Sequence, residues 1–325
     1  MSKQPIEFCE NILKKVSRSF ALTIPMLDDK IYEAVMITYL QDRLLDNFED
    51  EINDISFKER TYLMDKVVEI FNPALASQEA VKIIEGKAEL FNDEDLANLT
   101  ANASFLKEAY DMLDNEIKDI SHKWLKEMNS GMQKYLAKKV NKFDELDEYC
   151  YYVAGTVGGF LTDLIIKKSN ISKEKADILQ ANFEDAGLFL QKVNLIRDIR
   201  KDIKSRDKNY WPLEELGIEE NMILDRKYEK IMEKALNEML ENVKNHIQGL
   251  VLYMNNIPEE FSGYKKFFAV NNGLGLSTLE KIENNKDKLF YSDNKVKVGK
   301  IQFMKIISFS QKTFQKKAEN FLNNK

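Results

Sequence analysis

The chain is poor in the residues that form turns, cross-link a fold or bind metals through sulfur and nitrogen. It has 12 Gly and 5 Pro in 325 residues, too few for the many turns of a β-sandwich or barrel, so long helices are expected. Two cysteines, Cys9 and Cys150, exclude a disulfide framework and a cysteine-based zinc site. Two histidines, His122 and His246, leave little room for histidine-rich metal chemistry, and we expect them at the surface or behind the residues of a site.

Excess positive charge and long hydrophobic runs are also missing. Lys and Arg number 48 against 54 Asp and Glu, a net charge of −6, which argues against a nucleic-acid partner. No stretch approaches the roughly 20 apolar residues of a membrane span; the best one, 153–166, is shorter and contains Asp163. The first residues form no apolar signal region. We therefore expect a cytoplasmic protein without a transmembrane anchor.

Apolar residues recur at helical spacing along almost the whole chain. There is no internal repeat, low-complexity tract or long linker. We therefore predict an all-α fold and a single domain over 1–325. The predicted helices are 29–52, 57–71, 76–91, 94–128, 131–140, 144–167, 172–204, 219–255, 259–287 and 299–322.

One acidic stripe is predicted on the helix 29–52. Helical geometry places six polar residues within a sector of roughly 120°, opposite an apolar face: Tyr39, Asp42, Arg43, Asp46, Glu49 and Asp50. Such a stripe is typical of a solvated helix face. Alternatively, Asp46 and Asp50, one turn apart, share divalent cations such as Mg²⁺, which prefers carboxylate, water and phosphate oxygens.

A second stripe favours the metal interpretation. Gly187, Gln191, Asn194, Asp198 and Asp202 align on the helix 172–204 and border its apolar arc rather than facing away from it. Uncharged Gln and Asn beside a core-facing surface are costly unless a ligand pairs with them. Two Asp-x-x-x-Asp stripes in an all-helical chain suggest two walls of one cavity that binds metal ions and a diphosphate. Such metals would also stabilise the charge of a departing diphosphate, and the cation left behind would need a dry, apolar pocket.

The ordered set of motifs resembles the squalene/phytoene synthases, and within that family the squalene synthases. Five blocks in family order carry the resemblance: Ser17-Arg18-Ser19-Phe20; Tyr39-Leu40 with Arg43, Asp46, Glu49 and Asp50; Tyr149 to Gly158; Gly187 to Asp198 with Asp202; and Tyr210-Trp211-Pro212. The segments 267–279 and 295–299 are weaker matches. The resemblance implies an isoprenoid-synthase helical fold with a central apolar cavity, its motif-bearing core over residues 17–290.

The activity that the resemblance implies is the head-to-head condensation of two molecules of farnesyl diphosphate. The product of the first step would be presqualene diphosphate. A second ionisation and hydride from NADPH would give squalene. The implied cofactors are Mg²⁺, with Mn²⁺ as a substitute, and NADPH. The implied partners are the two substrate molecules, with no nucleic acid; we expect a monomer that touches membranes peripherally to release its oily product.

The resemblance also implies site residues, each carried over from a matching motif position. The implied catalytic residues are Tyr39, Tyr149, Asp46, Asp50, Asp198 and Asp202. The metal ligands would be Asp46, Glu49, Asp50, Asn194, Asp198 and Asp202, and the diphosphate ligands Ser17, Arg18, Ser19, Phe20, Arg43, Gln191, Asn194 and Arg197. The tyrosines would border the reacting carbons and assist proton removal, for which the departing diphosphate is an equally good candidate.

The evidence for the reductive step lies in basic residues. By resemblance, Asn194, Lys208, Lys295 and Lys297 would bind NADPH. Positions 208 and 297 are Lys where the family usually has Arg, which keeps the charge but loses the bidentate geometry. Solvated surface lysines are an equally good interpretation. Gly273-Leu-Gly275 is not a dinucleotide fingerprint, because no strand precedes it and the third glycine is missing.

Three alternatives stay open. A family member without the hydride step would make dehydrosqualene or phytoene, or stop at presqualene diphosphate. A relative from another functional class would be a non-catalytic binding or assembly protein, although retention of both Asp pairs argues against it. Gly155, Gly158 and Gly159 serve either close helix packing or close approach of a prenyl chain.

Overall fold

The computed structural model describes residues 3–17, 19–52, 55–206, 208–292 and 296–323, without the side chains of 205 and 206. Within those ranges the chain is helical and contains no strand, so the predicted all-α class is confirmed. The chain divides into two compact units. The prediction of a single domain over 1–325 stays a prediction.

The first unit comprises 1–137, 160–170 and 261–263. Its α-helices are α1 (Gln4–Val16), α2 (Phe20–Thr23), α3 (Asp29–Asp50), α4 (Phe57–Ile70), α5 (Gln78–Glu85), α6 (Glu94–Ala101), α7 (Ala103–Asp111) and α8 (Asn115–Leu136). Helix α3 is central, because α1, α4, α7 and α8 all pack against it. Its apolar residues, among them Leu40, Leu44 and Phe48, are fully buried.

The second unit comprises 138–159, 171–260 and 264–325. Its α-helices are α9 (Phe143–Cys150), α10 (Thr156–Lys168, of which only 156–159 belong to this unit and the rest to the first), α11 (Lys173–Lys201), α12 (Leu213–Leu216), α13 (Glu229–Lys244), α14 (Ile247–Asn256), α15 (Ser262–Glu283), α16 (Lys286–Tyr291), α17 (Lys300–Ser308) and α18 (Ser310–Asn323). Helix α11 is central, since α9, α13, α14 and α16 all pack against it. The Ser172 hydroxyl caps its first turn by accepting a hydrogen bond from the Lys175 amide.

The structure corrects several predicted helix boundaries. Helix α1 was not predicted, although Cys9, Ile12 and Leu13 form its buried face. The predicted helix 94–128 is interrupted at Asn102, whose side-chain amide donates to the Asn98 carbonyl at 2.9 Å and so competes with the backbone ladder. Helix α8 then continues through the break predicted before residue 131.

Two π-helical segments interrupt the second unit's helices. One, Tyr151–Gly155, directly follows α9, and the other, Asp202–Arg206, directly follows α11. Wide π turns are rare and occur frequently at functional sites. Each segment adjoins a predicted motif, since Tyr149 lies two residues before the first and Asp202 begins the second.

Close helix packing explains Gly158. A Cβ atom there would lie 2.4 Å from the backbone carbonyl oxygen of Phe183 on α11, so a larger residue would push two backbones apart. At Gly155 the nearest atoms belong to the side chains of Tyr151 and Leu188. The packing interpretation therefore accounts for position 158.

A buried polar network joins four helices of the second unit. The Lys192 side chain on α11 is fully buried, and its Nζ lies 2.5 Å from Asp147 Oδ1, 2.6 Å from Asn242 Oδ1 and 2.7 Å from His246 Nε2. Because an ammonium group only donates, His246 Nε2 accepts, and Nδ1 carries the proton towards Asp185 Oδ1 at 2.7 Å. His246 is buried, so of the two expected positions the surface one does not apply, and a position behind the residues of a site stays a prediction.

One helical stretch, Phe143–Lys168, is long and apolar enough to cross a membrane by length and composition. More than half of its apolar window is buried inside the protein. Core helices of soluble proteins pass the same test, so this is weak evidence for a membrane span.

We predict that Gly158→Ala lowers the free energy of unfolding by about 1–3 kcal/mol, because the added methyl group meets a backbone carbonyl that cannot rotate away. The matched control is Gly299→Ala at the start of α17, where a Cβ meets no atom within 4 Å. Urea unfolding followed by circular dichroism measures both. Equal stability of the two variants would refute close packing at Gly158.

We further predict that Lys192→Met lowers the free energy of unfolding by about 2 kcal/mol or more, because Asn242 and His246 lose their shared hydrogen-bond donor and the Asp147 carboxylate loses its ion-pair partner. Lys173→Met, on the exposed first turn of the same helix, should have little effect. The same urea titration compares the two, and a Lys192→Met protein as stable as its control would show that the network contributes no net stability.

Candidate active site

Three carboxylates cluster on the last two turns of α3. One carboxylate oxygen from each of Asp46, Glu49 and Asp50 lies within 4.8 Å of the others. Glu49 is 2% exposed, whereas the two aspartates are half-buried. Oxygen ligands at this spacing, with room for water or phosphate on the accessible side, fit a hard divalent cation.

The electrostatics of this cluster are unfavourable without a cation. The three negative charges repel one another, and they lie at the C-terminal end of a helix, where the backbone dipole is also negative. Arg43 offsets part of this charge: its guanidinium forms an ion pair with Asp46 and lies 3.8 Å from Glu51. Burial would lower the pKa of Arg43, but the charges of Asp46 and its neighbours raise it above its ordinary value.

Arg60, on α4, holds the end of α3. Its guanidinium donates to the Phe48 and Glu49 carbonyls at 2.8 Å each and also to the Ile52 carbonyl. The Phe48 and Glu49 carbonyls are among those that a helix end leaves without intrahelical partners, and Ile52 lies just beyond the helix. Arg60 therefore fixes the backbone beneath the carboxylates. Sequence analysis missed this residue, because a basic residue on an amphipathic helix carries no signal of such a role.

Asp42 lies one turn before Asp46 and is the fourth acidic group of the stripe. Burial raises the pKa of its carboxyl well above the ordinary value, and the nearby charge of Asp46 raises it further. Both effects favour the neutral acid. Sequence analysis placed Asp42 in the stripe without giving it a role.

Aromatic and hydroxyl groups border the carboxylates. The Tyr39 phenol hydrogen bonds with the Ser17 side chain, and its ring centroid lies 5.2 Å from that of Phe20. Burial raises the pKa of Tyr39, although Ser17 and Arg43 act in the opposite direction. Ser19 is exposed at the start of α2, and Arg18 lies outside the described residues. The first unit thus brings Ser17, Phe20, Tyr39, Arg43, Asp46, Glu49 and Asp50 together.

The second stripe occupies the C-terminal half of α11. Its apolar neighbours, including Leu195, Ile196 and Ile199, are buried, as the predicted arc requires. Asn194 is exposed, whereas Gln191, Asp198 and Asp202 are half-buried. Asp198 forms an ion pair with Arg197. In this stripe, as in the first, one aspartate is therefore paired with an arginine.

Tyr149, Tyr210 and Trp211 form the aromatic part of the second unit's motifs. The Tyr149 ring stacks on Tyr210 with centroids 4.0 Å apart and planes within 8°. Trp211 is buried, and its indole N–H donates to the Leu195 carbonyl of α11 at 3.4 Å. Within the Tyr-Trp-Pro block, Trp211 thus contacts α11 and Tyr210 contacts Tyr149.

The residues suggested for NADPH have different surroundings. Lys208 is half-buried, and its backbone N–H donates to the Asp202 carbonyl at 3.2 Å. Lys297 is exposed, and Lys295 lies outside the described residues. Gly273 and Gly275 lie inside α15, in keeping with the conclusion that they form no dinucleotide fingerprint.

Sequence comparison gives one family and many named relatives. The family model described as squalene/phytoene synthase matches residues 13–302. The chain is 30% identical to squalene synthase 1 of Arabidopsis thaliana and 32% identical to a squalene synthase of Solanum lycopersicum; each alignment covers 86% of the chain and 65% or 64% of the relative. The chain therefore spans just under two thirds of the length of these relatives. A relative named inactive squalene synthase 2 of Arabidopsis thaliana is 33% identical over 75% of the chain and 57% of its own length.

Structural comparison agrees. The squalene synthase TcSQS, solved with the ligand BPH1237, superposes with a TM-score of 0.85 at 27% identity, covering 98% of this chain and 90% of that one. A dehydrosqualene synthase in complex with a ligand superposes with a TM-score of 0.63 at 18% identity, covering 97% and 98%; at that identity the likeness concerns the fold alone. The neighbours share the all-α isoprenoid-synthase fold. Together with the motifs on α3 and α11, these matches establish that the chain belongs to the squalene/phytoene synthase family.

Proposed function

We propose that this protein is a prenyltransferase of the squalene synthase type, which joins two molecules of farnesyl diphosphate head to head. The first step would release one diphosphate and one proton and give presqualene diphosphate. The second would release the other diphosphate and take up hydride from NADPH to give squalene. The observation that carries the proposal is the carboxylate cluster of Asp46, Glu49 and Asp50, in a chain that belongs to the squalene/phytoene synthase family and is similar to proteins named squalene synthase.

The donor set of each stripe suits divalent metal ions. Asp46, Glu49 and Asp50 would hold metal on α3, and Asp198, Asp202 and the Asn194 amide would do so on α11. All of these offer oxygen ligands, as Mg²⁺ and Mn²⁺ prefer. Bound metal ions would stabilise the negative charge that grows on the leaving diphosphate.

Arginines and small polar groups would bind the diphosphates directly. Arg43 and Arg197 each pair with an aspartate of their own stripe. When metal neutralises those aspartates, each guanidinium can turn to a phosphate oxygen, for which its planar fork is well suited. Ser17, Arg18, Ser19, Phe20 and Gln191 would complete this binding set, with Asn194 shared between metal and diphosphate.

Tyr39 and Tyr149 would line the reacting carbons. Because burial raises the pKa of Tyr39, its phenol keeps its proton at neutral pH and acts as a donor rather than a base. The departing diphosphate is then the better acceptor for the proton lost in the first step. The buried ring of Tyr149 and the half-buried ring of Tyr210 stacked on it would help to keep water from the carbocation within an apolar cavity.

The reductive step depends on phosphate-binding lysines. Lys208, Lys295 and Lys297, with Asn194, would position NADPH by charge and hydrogen bonding, and bound NADPH would supply the hydride. Lysine lacks the bidentate geometry of arginine, so a weaker preference for NADPH over NADH is expected.

Two rival functions differ in testable ways. A non-reductive enzyme would release dehydrosqualene, phytoene or presqualene diphosphate whether or not NADPH is present. A non-catalytic binding or assembly protein is a second candidate, because one similar relative is named inactive. Against it, the chain keeps both aspartate pairs, Gln191, Asn194 and both tyrosines. We further propose that the enzyme is a cytoplasmic monomer with peripheral membrane contact.

We predict that Asp46→Ala and Asp198→Ala each lower turnover by about 100-fold or more while the fold stays intact, because each removes a ligand that stabilises the leaving group. Glu33→Ala on α3 and Asp177→Ala on α11, both exposed, are the matched controls. Diphosphate release from farnesyl diphosphate with Mg²⁺ is the assay, and circular dichroism checks the fold. Full activity in either site variant would overturn the metal assignment.

Products identify the reaction. Incubation of the protein with farnesyl diphosphate and Mg²⁺, with and without NADPH, should give squalene only when NADPH is present, as determined by mass spectrometry of the extract. Dehydrosqualene under both conditions would replace the proposal with the non-reductive enzyme. Absence of any condensation product would favour the non-catalytic relative.

A further inference from the structure

The most exposed apolar side chains of the described residues lie close together near the C-terminal end of the second unit. Ile301 is 78% exposed, Phe309 62% and Met304 59%, whereas every other large apolar residue is at most 54% exposed. A concentration of exposed apolar side chains in one short stretch marks an interaction site more often than scattered ones do.

These residues form one face of α17. Ile301 and Met304 point outward with Lys300, Lys305 and Ser308, and with Phe309 they line an open groove of about 360 Å³. Ile306, on the opposite side of the helix, is 1% exposed. The helix is therefore anchored by one apolar face while a second apolar face, flanked by lysines, remains accessible.

The charge of this stretch of the sequence is of one sign. Residues 296–317 contain six lysines and no acidic residue, in a chain whose net charge is −6. Lys317 is paired with Glu280, and the other five are exposed: Lys297, Lys300, Lys305, Lys312 and Lys316. Lysines clustered beside an exposed apolar helix face are typical of helices that lie in the interface of an anionic bilayer.

We propose that the α17 face, defined by Lys300, Ile301, Met304, Lys305 and Phe309, docks on anionic phospholipid membranes. The apolar side chains would enter the boundary between headgroups and acyl chains, and the lysines would contact the lipid phosphates. A second copy of this chain fits less well, because two lysine-rich rims would then face each other. An acidic protein surface would match the lysines but not the exposed Ile and Met at the centre.

The α17 face is a definite surface for the proposed membrane contact. Only the benefit of that contact to the protein rests on the proposed function. An enzyme that takes an amphiphilic prenyl diphosphate and releases a hydrocarbon gains from lying against the phase that holds both. The docking itself is independent of catalysis. It is therefore tested without substrate, and a failure of either proposal can be told apart from a failure of the other.

The test is sedimentation with sucrose-loaded vesicles of phosphatidylcholine alone or with 30% phosphatidylglycerol, where we expect at least about a tenfold higher partition coefficient on the anionic vesicles. The coefficient should fall in 0.5 M NaCl, which screens the lysines. The triple variant Ile301→Ser, Met304→Ser, Phe309→Ser should bind the anionic vesicles at least about tenfold more weakly, because it retains the lysines but loses the apolar contacts.

The matched control changes three exposed apolar residues elsewhere, Phe57→Ser, Leu75→Ser and Ile231→Ser, and should bind as the wild type does. Diphosphate release assayed in detergent should be unchanged in both triple variants. The proposal is overturned if anionic vesicles do not bind the protein or bind the α17 variant equally well. It is also overturned if analytical ultracentrifugation shows a dimer that only the α17 substitutions dissociate and vesicle binding is absent.

Discussion

Repulsion among carboxylates at helix ends is the constraint on which the candidate site depends. Asp46, Glu49 and Asp50 share the last turns of α3, and Asp198 and Asp202 share the end of α11. At the end of α3 the negative end of the helix dipole adds to the repulsion. An arginine pairs with one aspartate of each stripe, and Arg60 also lies in the field of Glu49 and Asp50, so basic side chains offset part of the acidic charge. The chemistry that this arrangement favours is binding of an ion of high charge, and through it of a ligand that is itself strongly anionic.

Strained electrostatics of this kind persist only on a rigid support. Each stripe lies on the helix that its own unit packs around, so the buried apolar face of that helix fixes the direction of the acidic face. Arg60 holds the end of α3 through three carbonyls, and the Trp211 indole contacts α11. The Lys192 network ties α11 to α9, α13 and α14. Core packing and buried hydrogen bonds thus supply the stability that the acidic residues reduce.

The features that the sequence predicted well are those that depend on the local spacing of residue types. The long helices α3, α4 and α11 and the two stripes follow from the spacing of apolar and acidic residues, and their observed bounds differ from prediction by a few residues. The interruption at Asn102 was not predictable from apolar spacing, because it depends on a side-chain hydrogen bond to the backbone. Likewise, His246 and Lys192 are each unremarkable in the sequence, and only the tertiary fold brings them within 2.7 Å. The π segments beside Tyr149 and Asp202 left no recognised signal either, since apolar periodicity hardly changes over one wide turn.

The cost of the acidic stripe also bears on whether this family member is catalytic. Asp42 is held where burial raises the pKa of its carboxyl and where Asp46 raises it further, so its ionised form disfavours folding at neutral pH. A protein kept only as a scaffold would gain stability from an apolar or amide residue at 42, and the helix would still form. The chain instead has aspartate at 42, 46 and 50 and the Asp198–Asp202 pair as well. A destabilising buried aspartate at 42 beside the carboxylates of Asp46, Glu49 and Asp50 is typical of a site that binds cations, which favours the proposed catalytic role over that of a scaffold.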